Sequence, residues 1–215
     1  GTVGSFADDA VALADHLGVA TWRVLTWSAG SVHALAVAAR HPDRVARLAV
    51  AAGLVPFEAY ATPGILDDAD GGRWMVAELG AELGPAGLAA EAAPHLVPYP
   101  CDEALAREHG AESAAPVRRR DLDAIPDARE ALAAGVADSV ASGLAGLTRD
   151  LELQVEPPDV AWDDVAAPVD LWYGERDTTA PPALGRWGAG PVRWGELTVV
   201  PGPGHLVALS HGGPN

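Results

Sequence analysis

The sequence contains no lysine: all 14 basic residues are arginines, set against 30 acidic residues, and the net charge is −16. Such an acidic surface repels phosphate backbones and anionic bilayers, which argues against nucleic-acid or membrane-surface partners. The single cysteine, Cys101, excludes an internal disulfide framework and fits a reducing compartment. No run of about 18 apolar residues occurs, so no segment is expected to span a membrane. The N-terminus lacks the basic, apolar and small-residue succession of a signal peptide, and the expected location is cytoplasmic. No glycine-rich phosphate loop is present, and His95, Cys101 and His109 follow neither HxxxH nor CxxC spacing, so neither cofactor nor metal is expected. The one basic run, Arg118–Arg119–Arg120, reads as a solvated helix start against Asp121 and Asp123 rather than a grip for an anionic substrate.

What is present is apolar material in abundance. Hydrophobic residues make up 49% of 215 positions, enough to bury a core as one domain or one domain with an insertion. The most informative stretch is Trp22 to Ser31, an apolar strand that runs through Thr26-Trp27-Ser28-Ala29-Gly30 into the helical pattern of Val32, Leu35, Ala36 and Ala39. Small residues at 26 and 30 let strand and helix close around Ser28 in a tight turn. That turn presents the hydroxyl at a helix N-terminus, where free N–H groups and the helix dipole favour developing negative charge. The alternative is a serine that merely caps the helix.

Upstream, Ser5 with Asp8 and Asp9 marks a capped helix start, and Ala10, Val11, Leu13, Ala14 and Leu17 continue with helical spacing to Gly18. After the elbow helix, His41 to Val45 opens a second strand, Leu48 to Ala52, and the strand–helix–strand order implies a parallel sheet. From Leu54 to about Ala166 the strand signal vanishes into alanine-rich pieces broken by prolines; Arg73–Leu83, Cys101–Gly110 and Ala128–Leu153 are long enough for helices. Strand signals return at Pro168–Tyr173, ended by Gly174-Glu175-Arg176-Asp177, and at Glu196–Val200, ended by Pro201-Gly202-Pro203-Gly204-His205. Asp177 and His205 thus sit just past strand ends, the edge where open α/β sheets hold their ligands, and the same edge carries Ser28. Asp177 also suits a cap for a helix near Pro181, and His205 a loop histidine bonded to backbone.

Together the elbow, the Gly-x-x-Asp loop and the Pro-Gly-x-Gly-His-Leu loop resemble the α/β-hydrolase superfamily, whose chain order is nucleophile, acid, histidine. The resemblance implies an α/β fold, the C-terminal part of a parallel sheet flanked by helices. It divides into core residues 1–53, a helical cap insertion at 54–166, and core residues 167–215. It implies that Ser28 attacks a carbonyl, His205 takes and returns the proton, and Asp177 orients His205. The Ala29 N–H serves as an oxyanion donor, and Trp27 lines the pocket floor beside a small acyl substrate. Glu58, just past the second strand, is the competing acid, and His33 reads as a packed or surface residue. Trp172 is expected in the core. The superfamily's strands ahead of the elbow, and the loop giving its second oxyanion donor, have no counterpart here. The elbow strand is therefore expected to be an open edge prone to self-association. The implied activity is hydrolysis of carboxylic esters, lactones or related acyl bonds; the alternative is an inactive or non-catalytic binding module.

Overall fold

The computed structural model describes residues 1–96, 121–125, 127–141, 143–190 and 195–210. Its centre is a four-stranded, all-parallel sheet with strand order equal to chain order: β1 (Trp22–Trp27), β2 (Val45–Ala51), β3 (Val169–Gly174) and β4 (Gly195–Val200). The register sets Val24 beside Leu48, Val50 beside Leu171, and Leu171 beside Leu197. Side chains alternate across a strand, so this row lies on one face, and Leu48, Val50, Val169, Leu171 and Tyr173 are all buried there. The cover consists of α1 (Val3–His16), α2 (Gly30–Arg40) and α6 (Pro182–Ala189).

Helix α1 begins at Thr2 rather than Ser5. The Thr2 hydroxyl accepts from the Ser5 N–H and the Ser5 hydroxyl accepts from the Thr2 N–H, closing a capping box. Its buried face is Val3, Ala7 and Ala14, small residues that let it lie close to α2, while Leu13 and Leu17 are 60% and 66% exposed, contrary to the apolar spacing read from the sequence.

Between β2 and β3 the described residues form helices and turns. These are α3 (Gly71–Leu96), kinked at Gly84 where φ is 68°, a helical turn at 121–124, α4 (Ala128–Val140) and α5 (Ala145–Leu153). The expected single helix over Ala128–Leu153 is broken into two, because the chain passes through Gly143 at φ 91°. The expected helix over Cys101–Gly110, the run Arg118–Arg120, and Cys101 and His109 of the weighed metal cluster lie outside the described residues, as does the side chain of His95. No helix among the described residues is long and apolar enough to cross a membrane.

The second sheet face is less covered. Leu25 is 76% exposed, Trp27 36% and Trp172 38%, and the short helix α7 (Val207–Ser210) packs against β3 at the carboxyl end. Trp172 is therefore not a core residue, because β3 buries one row of its side chains and leaves the other open. On that open face Arg47 and Asp170 form a two-pronged ion pair across β2 and β3 at 2.6 and 2.7 Å.

Candidate active site

Strand β1 delivers Ser28 past its end in the left-handed region, at φ 53°, and α2 starts two residues later. A non-glycine residue there is strained, and the surroundings hold it in place. The Ser28 N–H donates to Ala51 O, and its own carbonyl accepts from the Ser31 and Leu54 N–H groups. Ser31 is wholly buried, its hydroxyl donating to Leu54 O and accepting from Leu54 N–H, which rivets the elbow to the segment after β2. Gly30 is required by its neighbour: a Cβ there would lie 2.8 Å from the Thr26 hydroxyl oxygen.

The three polar residues singled out from the sequence meet at the carboxyl edge of the sheet. His205 Nε2 is 2.9 Å from Ser28 Oγ, and His205 Nδ1 is 2.9 Å from Asp177 Oδ2. Asp177 and His205 are 2% and 3% exposed. With a carboxylate on Nδ1, the imidazole proton belongs there, leaving Nε2 free to accept the serine proton. The second Asp177 oxygen accepts from the N–H groups of Thr179 and Ala180 at 2.9 Å each. The carboxylate therefore closes its own turn and faces His205 at once; it does not cap α6, whose N-cap position, Pro181, has no side-chain cap bond. Thr179 is in turn tied to Asp70, its hydroxyl donating to Oδ2 at 2.8 Å.

The histidine loop reaches this position because β3 ends in Gly174, where a Cβ would lie 2.2 Å from Gly204 O. Trp27 does more than line a pocket. Its Nε1 donates to His205 O at 2.7 Å, and its ring sits 5.1 Å from the imidazole, tilted by 46°. It also borders an apolar cavity of about 520 Å³ together with Leu132, Gly135, Ser139, Leu206 and Leu209. The Ala29 N–H has no acceptor among the described residues and lies at the start of α2.

Other candidates fall away from the centre. Glu58 is exposed on the 3-10 turn Phe57–Ala61, and Asp177 already occupies His205 Nδ1. His33 packs against Phe6 and lies 3.7 Å from Asp150 on α5. Asp121 is the residue that sequence reasoning missed. It is 5% exposed, and its two oxygens accept from the N–H groups of Gly204 and Leu206 at 2.8 and 3.0 Å. Its neighbour Asp123 stays exposed and pairs with Arg129.

Two phenols are also shaped by burial. Tyr173 donates to Gly53 O at 2.8 Å, and enclosure pushes its ionisation well above the usual phenolic value. Tyr60 is raised as well, by desolvation, with the nearby Arg73 guanidinium opposing that shift.

Solved structures with the same fold cover nearly the whole chain. An alpha/beta hydrolase fold protein from Nakamurella multipartita is 26% identical, with a TM-score of 0.59, covering 98% of this chain and 71% of its own. A carboxylesterase structure from the thaumarchaeon Nitrososphaera gargenis gives 19% identity and a TM-score of 0.60, over 98% of this chain and 67% of its own. A thermophilic esterase from Thermogutta terrifontis gives 23% and 0.54, over 96% and 66%. The chain thus spans roughly two thirds of the length of these relatives. Curated protein sequences give no significant match. The family described as alpha/beta hydrolase fold matches residues 1–211, and this chain belongs to it.

Proposed function

We propose that the chain is a serine hydrolase acting on ester-like bonds, carboxylic esters or lactones, through Ser28, His205 and Asp177. The observation that carries this reading is the continuous chain of hydrogen bonds from Ser28 Oγ through both ring nitrogens of His205 to Asp177. In the first half-reaction Ser28 Oγ attacks the acyl carbon as its proton passes to His205 Nε2. The carbonyl electron pair moves onto oxygen, and that oxyanion faces the Ala29 N–H and the positive end of the α2 dipole. Collapse breaks the bond to the alcohol oxygen, which leaves with the proton from His205. Water then repeats the sequence on the acyl-serine, freeing the acid and restoring Ser28. Asp177 keeps the proton on Nδ1 and stabilises the imidazolium that forms twice per turnover.

The cavity bounded by Trp27, Leu132, Leu206 and Leu209 receives an apolar group of the substrate. Esterase activity among relatives of the same fold is consistent with this assignment. Of the described residues in the segment 54–166, α4 lines that cavity and so supplies the cap's contribution to it. The test is intact-mass labelling with a fluorophosphonate, comparing the wild-type chain with Ser28→Ala and His205→Ala. A single adduct, lost in both variants, is expected. A folded chain that takes no adduct would sink the catalytic reading and leave a binding module.

A further inference from the structure

We propose that Asp121 is a positioning residue for His205, through which the helical segment between β2 and β3 sets the histidine for reaction. The inference rests on the hydrolase reading given above and deepens it. His205 lies in a loop without regular structure, between Pro203-Gly204 and Leu206, so its aim depends on what fixes the peptide units around it. Asp121 fixes both: one carboxylate oxygen takes the Gly204 N–H at 2.8 Å, the other takes the Leu206 N–H at 3.0 Å. The carbonyl of His205 itself is held by Trp27 Nε1 at 2.7 Å. The residues before, at and after 205 are thereby each tied to a side chain, and Asp177 then needs only to fix the ring.

The anchor comes from far along the chain, 83 residues before Gly204. Asp121 belongs to the helical turn at 121–124, and the same turn seals against the loop apolarly: Leu122, Ala128 and Leu206 form a small buried cluster with Ile125 and Leu132. A carboxylate buried to 5% exposure is costly unless its oxygens are well satisfied. An asparagine of the same shape offers a single acceptor and would leave one of the two N–H groups facing an NH₂. Leu132 and Leu206 also wall the apolar cavity. Leu206, whose N–H Asp121 holds, therefore belongs both to the anchored loop and to the wall of that cavity.

The experiment compares wild type with Asp121→Asn, Asp121→Glu and the exposed control Asp123→Asn. It uses fluorophosphonate labelling rate, turnover of p-nitrophenyl acetate, the low-field proton resonance of His205 Nδ1–H, and thermal melting. Asp121→Asn is expected to slow labelling and kcat by roughly 10- to 100-fold with KM within about twofold, as misplacement of a catalytic group does. Its low-field resonance broadens or disappears at temperatures where the variant is folded. Asp121→Glu retains both oxygens and restores part of the rate; Asp123→Asn matches wild type. A folded Asp121→Asn variant with wild-type labelling and an unchanged resonance overturns the proposal. So does a rate loss that only tracks the folded fraction. If Asp121→Asn does not fold, Asp121→Ser, which removes the two-oxygen clamp, decides by the same resonance, an unchanged signal overturning the proposal. If wild type neither labels nor turns over ester, the hydrolase reading fails, and the resonance comparison still decides whether Asp121 positions His205.

Discussion

Trp27 and His205 are joined twice, by an indole N–H donated to the histidine carbonyl at 2.7 Å and by rings 5.1 Å apart. The residue just before Ser28 thus holds the histidine that, in the proposed mechanism, takes the serine proton. Trp27→Phe keeps an aromatic ring but trims it and removes the indole N–H, whose hydrogen bond is of the class worth about 0.5–1.5 kcal/mol. The expected outcome is a severalfold fall in kcat with a nearly unchanged melting midpoint, measured by ester turnover. Trp27→Ala, which also opens the cavity wall, raises KM as well.

Asp177→Asn has a directional consequence here. Asp177 Oδ1 already accepts two N–H groups, from Thr179 and Ala180, so an asparagine keeps its oxygen on that side and turns its NH₂ toward His205 Nδ1. That forces the imidazole proton onto Nε2, which then cannot accept from Ser28. In serine proteases the corresponding change costs roughly 10⁴ in kcat. A loss of that order in ester hydrolysis, with retained fold by circular dichroism, is expected.

Gly174→Ala tests the crossing of β3 by the histidine loop. The new Cβ would approach the carbonyl oxygen of Gly204 to 2.2 Å, and backbone cannot swing aside as a side chain does. Overpacking of this kind costs about 1–3 kcal/mol. Activity should fall further than stability, because the group displaced is the neighbour of His205; parallel urea titrations and labelling rates measure both.

Ser31→Ala should lower stability with little direct effect on the chemistry. It leaves the N–H and the carbonyl of Leu54 without the hydroxyl that serves both, in a site of zero exposure. The Leu54 N–H keeps its longer bond to Ser28 O, so the cost is that of the buried Leu54 carbonyl left unpartnered, about 1–3 kcal/mol, read as a drop in the urea midpoint.

Asp8 supplies a pH signature. Its carboxyl is held down at about 2 from 3.8, first by the Arg40 guanidinium and then by His41. A depressed carboxyl contributes stability that is present above its unfolded value and is lost as pH falls from about 3.8 through about 2. Asp8→Asn should therefore lose less stability than wild type over that window, as measured by urea midpoints. The pair is exposed, so added salt should shrink the difference.

What was legible in the sequence was local. The elbow declared itself because the small residues that its tight turn requires lie within residues 26 to 30, even though Ala51 and Leu54 hold the turn from outside that window. Asp177 and His205 were legible because glycines mark the loops that leave β3 and β4. The family match over residues 1–211 agrees with the fold those loops implied. Asp121 was not legible. Its charge neighbours in sequence are Arg118–Arg120, whereas its partners are backbone N–H groups of residues 204 and 206, which no pattern of side chains records. Trp172 was misplaced for a related reason: an apolar strand does not say which of its faces a helix covers, and its row is the open one. The break at Gly143 was hidden inside an alanine-rich run, where one glycine is compatible with continuation or with an end.

Among the described residues strand β1 pairs on one side only, with β2, and Ser28 hangs from its end. Fraying at that margin carries Ser28 away from His205 while β2, β3 and the helices packed on them stay folded. Amide exchange in β1 should then run ahead of exchange in β2 and β3. On warming, the proposed Ser28–His205 contact would then open before the global melt, set by one marginal ladder rather than by the core.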